Sequence, residues 1–342
     1  MTAHRRFKQR VRARAAKTGE SYTAALRHFR RASGDAMLED QNTRPTHQPQ
    51  ADGAEPVRLR LAVAQTEQRE DPTDPELLRA SGAQLRELIT RAHTAGARLV
   101  QCPEGALSFP HKRVMSSIPD EVGPAEWSRV DWAAYADELA AVARRAGELG
   151  IWVALPAAHR LSDGHRPHNS MYVIDDHGRV HTRYDERFMS ETKINFMYTP
   201  GTGPVTFEVD GLRVGCALGI EAVHPQSFTD YEQLGVDLVM FSTTGRETPS
   251  PLPTPFYRNL DVYSGVNGIW ISMASTMPGN SAVFGPDVRE PVQIAEQSGT
   301  ALLVTDVEAR TGSTPWLHRL RTGVYDAKQQ TEDTRSLQRT SF

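Results

Sequence analysis

A chain of 342 residues with 39% apolar content can bury a large core, and its net charge of −3 excludes an overall attraction to nucleic acid. Its two cysteines, Cys102 and Cys216, lie in apolar runs, which fits buried thiols in a reducing, cytoplasmic compartment better than a disulfide framework. No run reaches the ~20 apolar residues of a membrane-spanning helix, and the first residues lack the apolar stretch of a secretory signal.

Residues 1–33 carry ten Lys and Arg against the single acid Glu20 and read as a small basic helical extension, with Tyr22, Leu26 and Phe29 on one face. Such an arm is either a solvated extension or a grip for nucleic acid or an acidic protein. Residues 34–56 are polar and bear Pro, Gln and Asn, the composition of a flexible linker. The main domain spans 57–310, and the remainder, 311–342, reads as a C-terminal tail.

Within the domain, residues 57–65 alternate and then become continuously apolar, as a strand entering a buried sheet does. Asp74, Pro75 and Glu76 supply an N-cap, a first-turn proline and an acid for a helix whose buried stripe is Leu78, Leu85 and Ile89. Residues 97–104 predict a strand, 132–149 an amphipathic helix closed by Gly150, and 151–156 another strand. Residues 171–174 and 180–184 predict a hairpin across Asp175-Asp176-His177-Gly178. Strand and helix alternate again over 205–242 and 254–275, and short strands near 282–284, 292–295 and 301–307 complete the sheets. Repeated strand–helix units with interposed hairpins indicate an α/β fold with mixed sheets.

Three segments carry the candidate chemistry. Gln101-Cys102-Pro103-Glu104-Gly105 places a carboxylate just past a buried strand, where desolvation favours a proton acceptor. Tyr184-Asp185-Glu186-Arg187-Phe188 is followed by Tyr198-Thr199-Pro200-Gly201. Residues 213–226, RVGCALGIEAVHPQ, run from an apolar strand into a tight corner at Gly219 and then into a helix start.

In order and spacing these segments resemble the nitrilase superfamily, the carbon–nitrogen hydrolases that cleave amides and nitriles with a Glu-Lys-Cys triad. The resemblance covers about three quarters of the chain and implies a four-layer α-β-β-α sandwich. It places the general base at Glu104, the lysine position at Glu186 and the nucleophile position at Gly219. A glycine has no atom to attack with, and a carboxylate at the lysine position reverses the field an oxyanion would need. Arg183, Arg187 or Lys193 is an alternative cation for that position, but a neighbour on a strand points to the opposite face, so surface charges are the favoured reading.

Cys216, three residues before Gly219, belongs on the opposite strand face; Cys102, two before Glu104, is the better substitute on that count, though it reads as a packing residue. Glu191 sits near where relatives carry a second active-site carboxylate, and Ile220 follows the corner; both are candidate ligand contacts. Glu221 and His224 read as structural groups at the helix start. The expectation is a carbon–nitrogen hydrolase-like protein silent by the thiol mechanism and kept as a ligand-binding, scaffolding or regulatory protein. The alternative is an active hydrolase of amides or nitriles using Glu104 with Glu186 or Cys102. No cofactor or metal motif is present, and the resemblance implies a homodimer paired through residues 224–234.

Overall fold

Asp74 caps the first helix as its sequence predicts, its carboxylate accepting from Glu76 N at 2.8 Å, and α1 runs over Pro75–Thr94 between β1 (Arg58–Gln65) and β2 (Leu99–Gln101). The computed structural model describes residues 57–162, 164–244, 255–277, 280–287, 291–293 and 299–309, with Arg12, Ala13, Lys17 and His318. The chain divides into two compact units, residues 1–48 and 49–342, and the account below concerns the second. The expected basic helices, the linker and nearly all of the tail lie outside the described residues.

After β2 come α2 (Trp132–Leu149), β3 (Trp152–His159), β4 (His168–Ile174) and β5 (Val180–Asp185). Next follow β6 (Thr206–Val209), β7 (Leu212–Leu218), α3 (Pro225–Gln233), β8 (Leu238–Thr243) and α4 (Pro255–Asn267). The series closes with β9 (Trp270–Ser275), β10 (Ala282–Phe284), β11 (Val292–Gln293) and β12 (Ala301–Glu308). One six-stranded sheet has the order β12-β1-β2-β3-β4-β5, the other β11-β10-β9-β8-β7-β6, and each mixes parallel and antiparallel pairs.

Three apolar layers follow from strand alternation. Leu59, Leu61 and Val63 of β1 meet Val214, Cys216 and Leu218 of β7 between the sheets. Ala62 faces the other way, into a layer with Leu78, Leu85 and Ile89 of α1 and Val142 of α2. Ala217 of β7 joins Phe228 of α3 and Leu260 of α4 on the far side. The result is the expected α-β-β-α sandwich.

Two strands differ from their sequence outline. β2 stops at Gln101 because Pro103 has no N–H to continue the ladder, although Cys102 N still donates to Ala154 O at 2.9 Å. β3 runs through Pro156 to His159, because its pairing with β2 ends at Ala154 and beyond that point only β4 is a partner. A residue lacking an N–H is tolerated on the open side. One buried polar clasp joins the sheets next to the functional end: Gln101 Nε2 donates to Phe241 O at 2.8 Å and to Ser242 Oγ at 3.1 Å, while Ser242 Oγ donates to Cys102 O at 2.9 Å.

Candidate active-site cleft

Parallel strands place the residues that follow them at one sheet edge, where α/β folds gather their sites. Glu104 follows β2, Gly219 follows β7, and Thr243 ends β8; all three line one cleft of about 230 Å³. Its other walls are Phe109, Pro110, Lys112, Tyr198, Ile220 and Phe256.

Four side chains interlock at the inner end. Lys193 Nζ donates to Glu104 Oε1 at 2.5 Å and to Glu186 Oε2 at 2.8 Å. Asn169 Nδ2 bridges the same two carboxylates, at 2.8 Å to Glu104 Oε1 and 2.6 Å to Glu186 Oε2. Asn169 comes from β4, and its backbone O also accepts from Glu186 N at 2.9 Å, which fixes the glutamate where β5 ends. Lys193 opens a single π-turn, Lys193–Met197, and that wider turn carries its stem back over the cleft.

The charges respond to this confinement. Burial pushes the Glu186 carboxyl up to about 7; Lys193 and Asn169 pull it down, and Glu104 and Glu221 add to the rise. Burial alone would push the Lys193 ammonium down, but the two carboxylates outweigh it and hold the group above the ordinary lysine range. Lys193 is therefore a fixed cation, unsuited to attack a carbonyl as a free amine.

Gly219 has φ +59°, the left-handed region in which a glycine carries no side-chain penalty. A Cβ built there would fall on Glu186 Oε1 and within 2.6 Å of Lys193 Nζ. The backbone of the corner is held by Gly219 N donating to Ser242 O at 2.9 Å. Below it lies Glu221, wholly buried, whose carboxylate accepts from Leu218 N, Arg187 N and Phe188 N at 2.8, 2.9 and 3.2 Å and from Tyr184 Oη at 2.6 Å. Burial raises the Glu221 carboxyl, and its donors offset part of the rise. Glu221 thus ties the segment after β5 to the corner after β7, a wider role than orienting the helix start.

Glu104, Gly219 and Ile220 line the cleft, while Glu186 is wholly buried behind it, held by Asn169 and Lys193. Glu191 is exposed and lies outside the cleft lining. Cys102 packs in the apolar layer beneath α1, because the chain leaves the strand after Gln101 and alternation no longer links it to Glu104. Burial pushes its thiol up to about 12, and the Cys216 thiol, between the sheets, higher still. Arg183 pairs with Asp185, and Arg187 with Asp230. Of the three alternative cations Lys193 is the one that reaches in, against the favoured reading of a surface charge. Strand alternation holds no information about a residue beyond a turn; the signal available was a lone lysine in the apolar run Ile194, Phe196, Met197. Nothing in the sequence marked Asn169.

Two mixed sheets between helical layers, with a carboxylate–ammonium cluster at the strand ends, define an α-β-β-α hydrolase-type sandwich. The chain belongs to the carbon–nitrogen hydrolase family, whose model matches residues 60–315. Among solved structures it is similar to a cysteine-to-alanine mutant of an amidase from Nesterenkonia AN1, of the nitrilase superfamily, with 20% identity and a TM-score of 0.59. That match covers 81% of this chain and 98% of the amidase. In another structure of the amidase, the acetamide moiety of fluoroacetamide is added covalently at the active-site cysteine; identity is 19%, TM-score 0.58, and 79% of this chain and 95% of that one are covered. The glutamine-dependent NAD+ synthetase of Acinetobacter baumannii is similar at 15% identity and TM-score 0.58, over 75% of this chain and 49% of the synthetase. These similarities carry the fold. No match was found among the curated proteins. Among the described residues no helix is long and apolar enough to cross a membrane.

Proposed function

We propose that this protein is a carbon–nitrogen hydrolase-fold protein that is silent by the thiol mechanism and uses its cleft to bind a small amide-like ligand, in a scaffolding or regulatory role. The observation that carries this reading is the occupied space at Gly219. Glu186 and Lys193 fill the volume in which a nucleophile's side chain would stand. Glu104 is engaged by Lys193 and Asn169, so the family's general-base position has become part of a closed ion network. Neither cysteine lines the cleft.

A second reading has one observation in its favour. Glu186, with its carboxyl near 7, could share a proton with Glu104 and activate a bound water against an amide. Incubation of purified protein with a panel of aliphatic amides and nitriles, with and without iodoacetamide, separates the readings. Silence toward all of them supports the first. Turnover that survives the alkylator and disappears in Glu104→Gln supports the second, and turnover abolished by the alkylator would overturn both. A homodimer paired through residues 224–234 belongs to the same proposal, and a monomer in sedimentation at micromolar concentration would remove it.

A further inference from the structure

Strand register gathers a block of polar side chains on one face where β3 ends, β4 begins and β5 ends. His159 pairs with His168, Ala157 with Ser170 and then Asp185, and Leu155 with Tyr172 and then Arg183. Residues paired directly across a sheet share a face. Leu155, Ala157 and Tyr172 assign that face to the layer beneath α1 and α2.

His159 is gripped from both sides. Its Nε2 lies 2.6 Å from Arg183 Nη1 and its Nδ1 lies 2.6 Å from Tyr172 Oη. A guanidinium only donates, so Nε2 is the bare, accepting nitrogen, Nδ1 carries the ring proton and the phenol oxygen accepts it. The same guanidinium donates to the Asp185 carboxylate through Nε at 2.8 Å and Nη2 at 3.1 Å, and Ser170 Oγ donates to Asp185 Oδ1 at 2.5 Å.

This arrangement suits a neutral imidazole alone. A second proton, on Nε2, would point at the N–H of Arg183 and set two cations in contact. Burial and then Arg183 hold the His159 ring below the ordinary histidine range; Asp185 opposes them, and His168, stacked on the ring at 6.4 Å, adds to the lowering. Burial alone would raise the Asp185 carboxyl, but Arg183 and Ser170 outweigh it and keep it ionised wherever a histidine titrates. Arg160, the next residue after β3, lies over the Trp132 ring at 5.7 Å.

Protonation therefore demands a rearrangement. We infer that the block is a pH-operated clasp: with His159 neutral, the imidazole holds Arg183 against Asp185, and with His159 protonated, the guanidinium leaves toward solvent and the imidazolium takes its place on the Asp185 carboxylate. The Arg183 side chain is 29% exposed, so its way out is open. Asp185 immediately precedes Glu186, and His168 Nδ1 lies 2.7 Å from Thr199 O, beside Tyr198 of the cleft wall. The clasp thus ties down the strand end from which Glu186 enters the ion cluster, and acid loosens it.

Nitrogen-15 NMR of the full chain, labelled at histidine and arginine, tests this. At pH 8 the His159 resonances should report the Nδ1–H tautomer. On acidification the His159 midpoint should lie below the free value of about 6.5, and the Arg183 Nε–H resonance should move to the position of a solvated arginine in step with that titration. In Arg183→Met the His159 midpoint should rise, because the repelling cation is gone while Asp185 stays. In His159→Gln, whose amide can accept from Arg183 and donate to Tyr172 at every pH, the Arg183 resonance should keep its paired position through the range in which wild type loses it. An Nε2–H tautomer at pH 8, an Arg183 resonance indifferent to the His159 titration, an unmoved midpoint in Arg183→Met, or release of Arg183 in His159→Gln at the wild-type pH overturns the inference. The tautomer and the wild-type titration need no substitution, so the inference is tested even where a variant fails to fold.

Discussion

Lys193 Nζ sits 2.8 Å from Glu186 Oε2, so the cation and the carboxylate that the family resemblance separates along the chain meet in one buried pair. The resemblance assigns a lysine to position 186 and an acid a few residues later. Here the two signs are exchanged, and the cluster keeps two carboxylates and one ammonium.

Removing the ammonium leaves both carboxylates unpaired. Lys193→Met should destabilise the fold by about 3–5 kcal/mol near neutral pH, the usual consequence of breaking a buried pair from one side. The loss should shrink toward pH 5 as the Glu186 carboxyl takes up a proton. Urea unfolding at pH 5 and 8 measures this, and an equal loss at both values would show that packing of the lysine stem, and not its charge, matters.

Glu186 itself should make stability fall with rising pH. Its folded value of about 7 lies above the ordinary 4.5, so the folded state holds more protons between those limits. The contribution is complete below about pH 4.5 and is lost as pH climbs through 7, by roughly 3 kcal/mol at 1.36 kcal/mol per unit. Asp175 and Asp185, held low, act below this window, and Lys193, held high, acts above it. Glu186→Gln should make the profile shallower between pH 5 and 8, with Glu221, also raised by burial, keeping part of the slope; an unchanged slope would assign it to other groups.

Gly219→Cys should neither restore hydrolysis nor yield a reactive thiol, because the new side chain collides with Glu186 and Lys193 at a left-handed φ. Its melting temperature should drop by several degrees. Lys193 already stands beside that position, so space and not charge is limiting; removing the colliding carboxylate as well, with Glu186→Ala, should leave room for the thiol next to the ammonium, which lowers its pKa. The double variant should label at position 219 with iodoacetamide. Labelling of the single variant at the same rate would disprove the steric argument.

Native protein should be inert to thiol reagents. Cys102 and Cys216 are both fully buried with thiols pushed far up, so a chromogenic disulfide should report about zero thiols in buffer and two in guanidinium. A native thiol that reacts within minutes would return Cys102 to consideration.

Glu221→Leu should be among the most damaging single changes. It strands three backbone N–H donors and the Tyr184 hydroxyl, each at about 1–3 kcal/mol if left unpaired. Glu221→Gln keeps one acceptor oxygen and should fall between. A thermal melt of the leucine variant within 2 °C of wild type would contradict the role given to this carboxylate.

Much of the fold could be read from local chemistry. Asp74 and Pro75 marked the start of α1, Gly150 the end of α2, and the apolar pattern over residues 57–65 marked β1, because each depends on neighbours a few residues away. Glu104 and Gly219 were legible through motif order. Lys193 was not, since its place depends on a π-turn and on two carboxylates contributed from positions 104 and 186. Asn169 escaped notice for a related reason: an amide in a hairpin strand looks ordinary until the sandwich closes.

The clasp from Gln101 to Phe241 and Ser242 bears on how the sandwich is assembled. Apolar faces alone would let two sheets settle in several offsets of similar energy, since Leu, Val and Met exchange places at small cost. The Gln101 amide N–H₂ finds a carbonyl and a hydroxyl across the gap only in this offset, and in another it would be buried unmatched along with its Oε1, which has no partner even here. Correct docking is thereby checked at the end of the sheets where Glu104 and Gly219 emerge. A late folding step, slowed in Gln101→Leu by misdocked species and visible as an extra refolding phase, should therefore coincide with formation of the cleft.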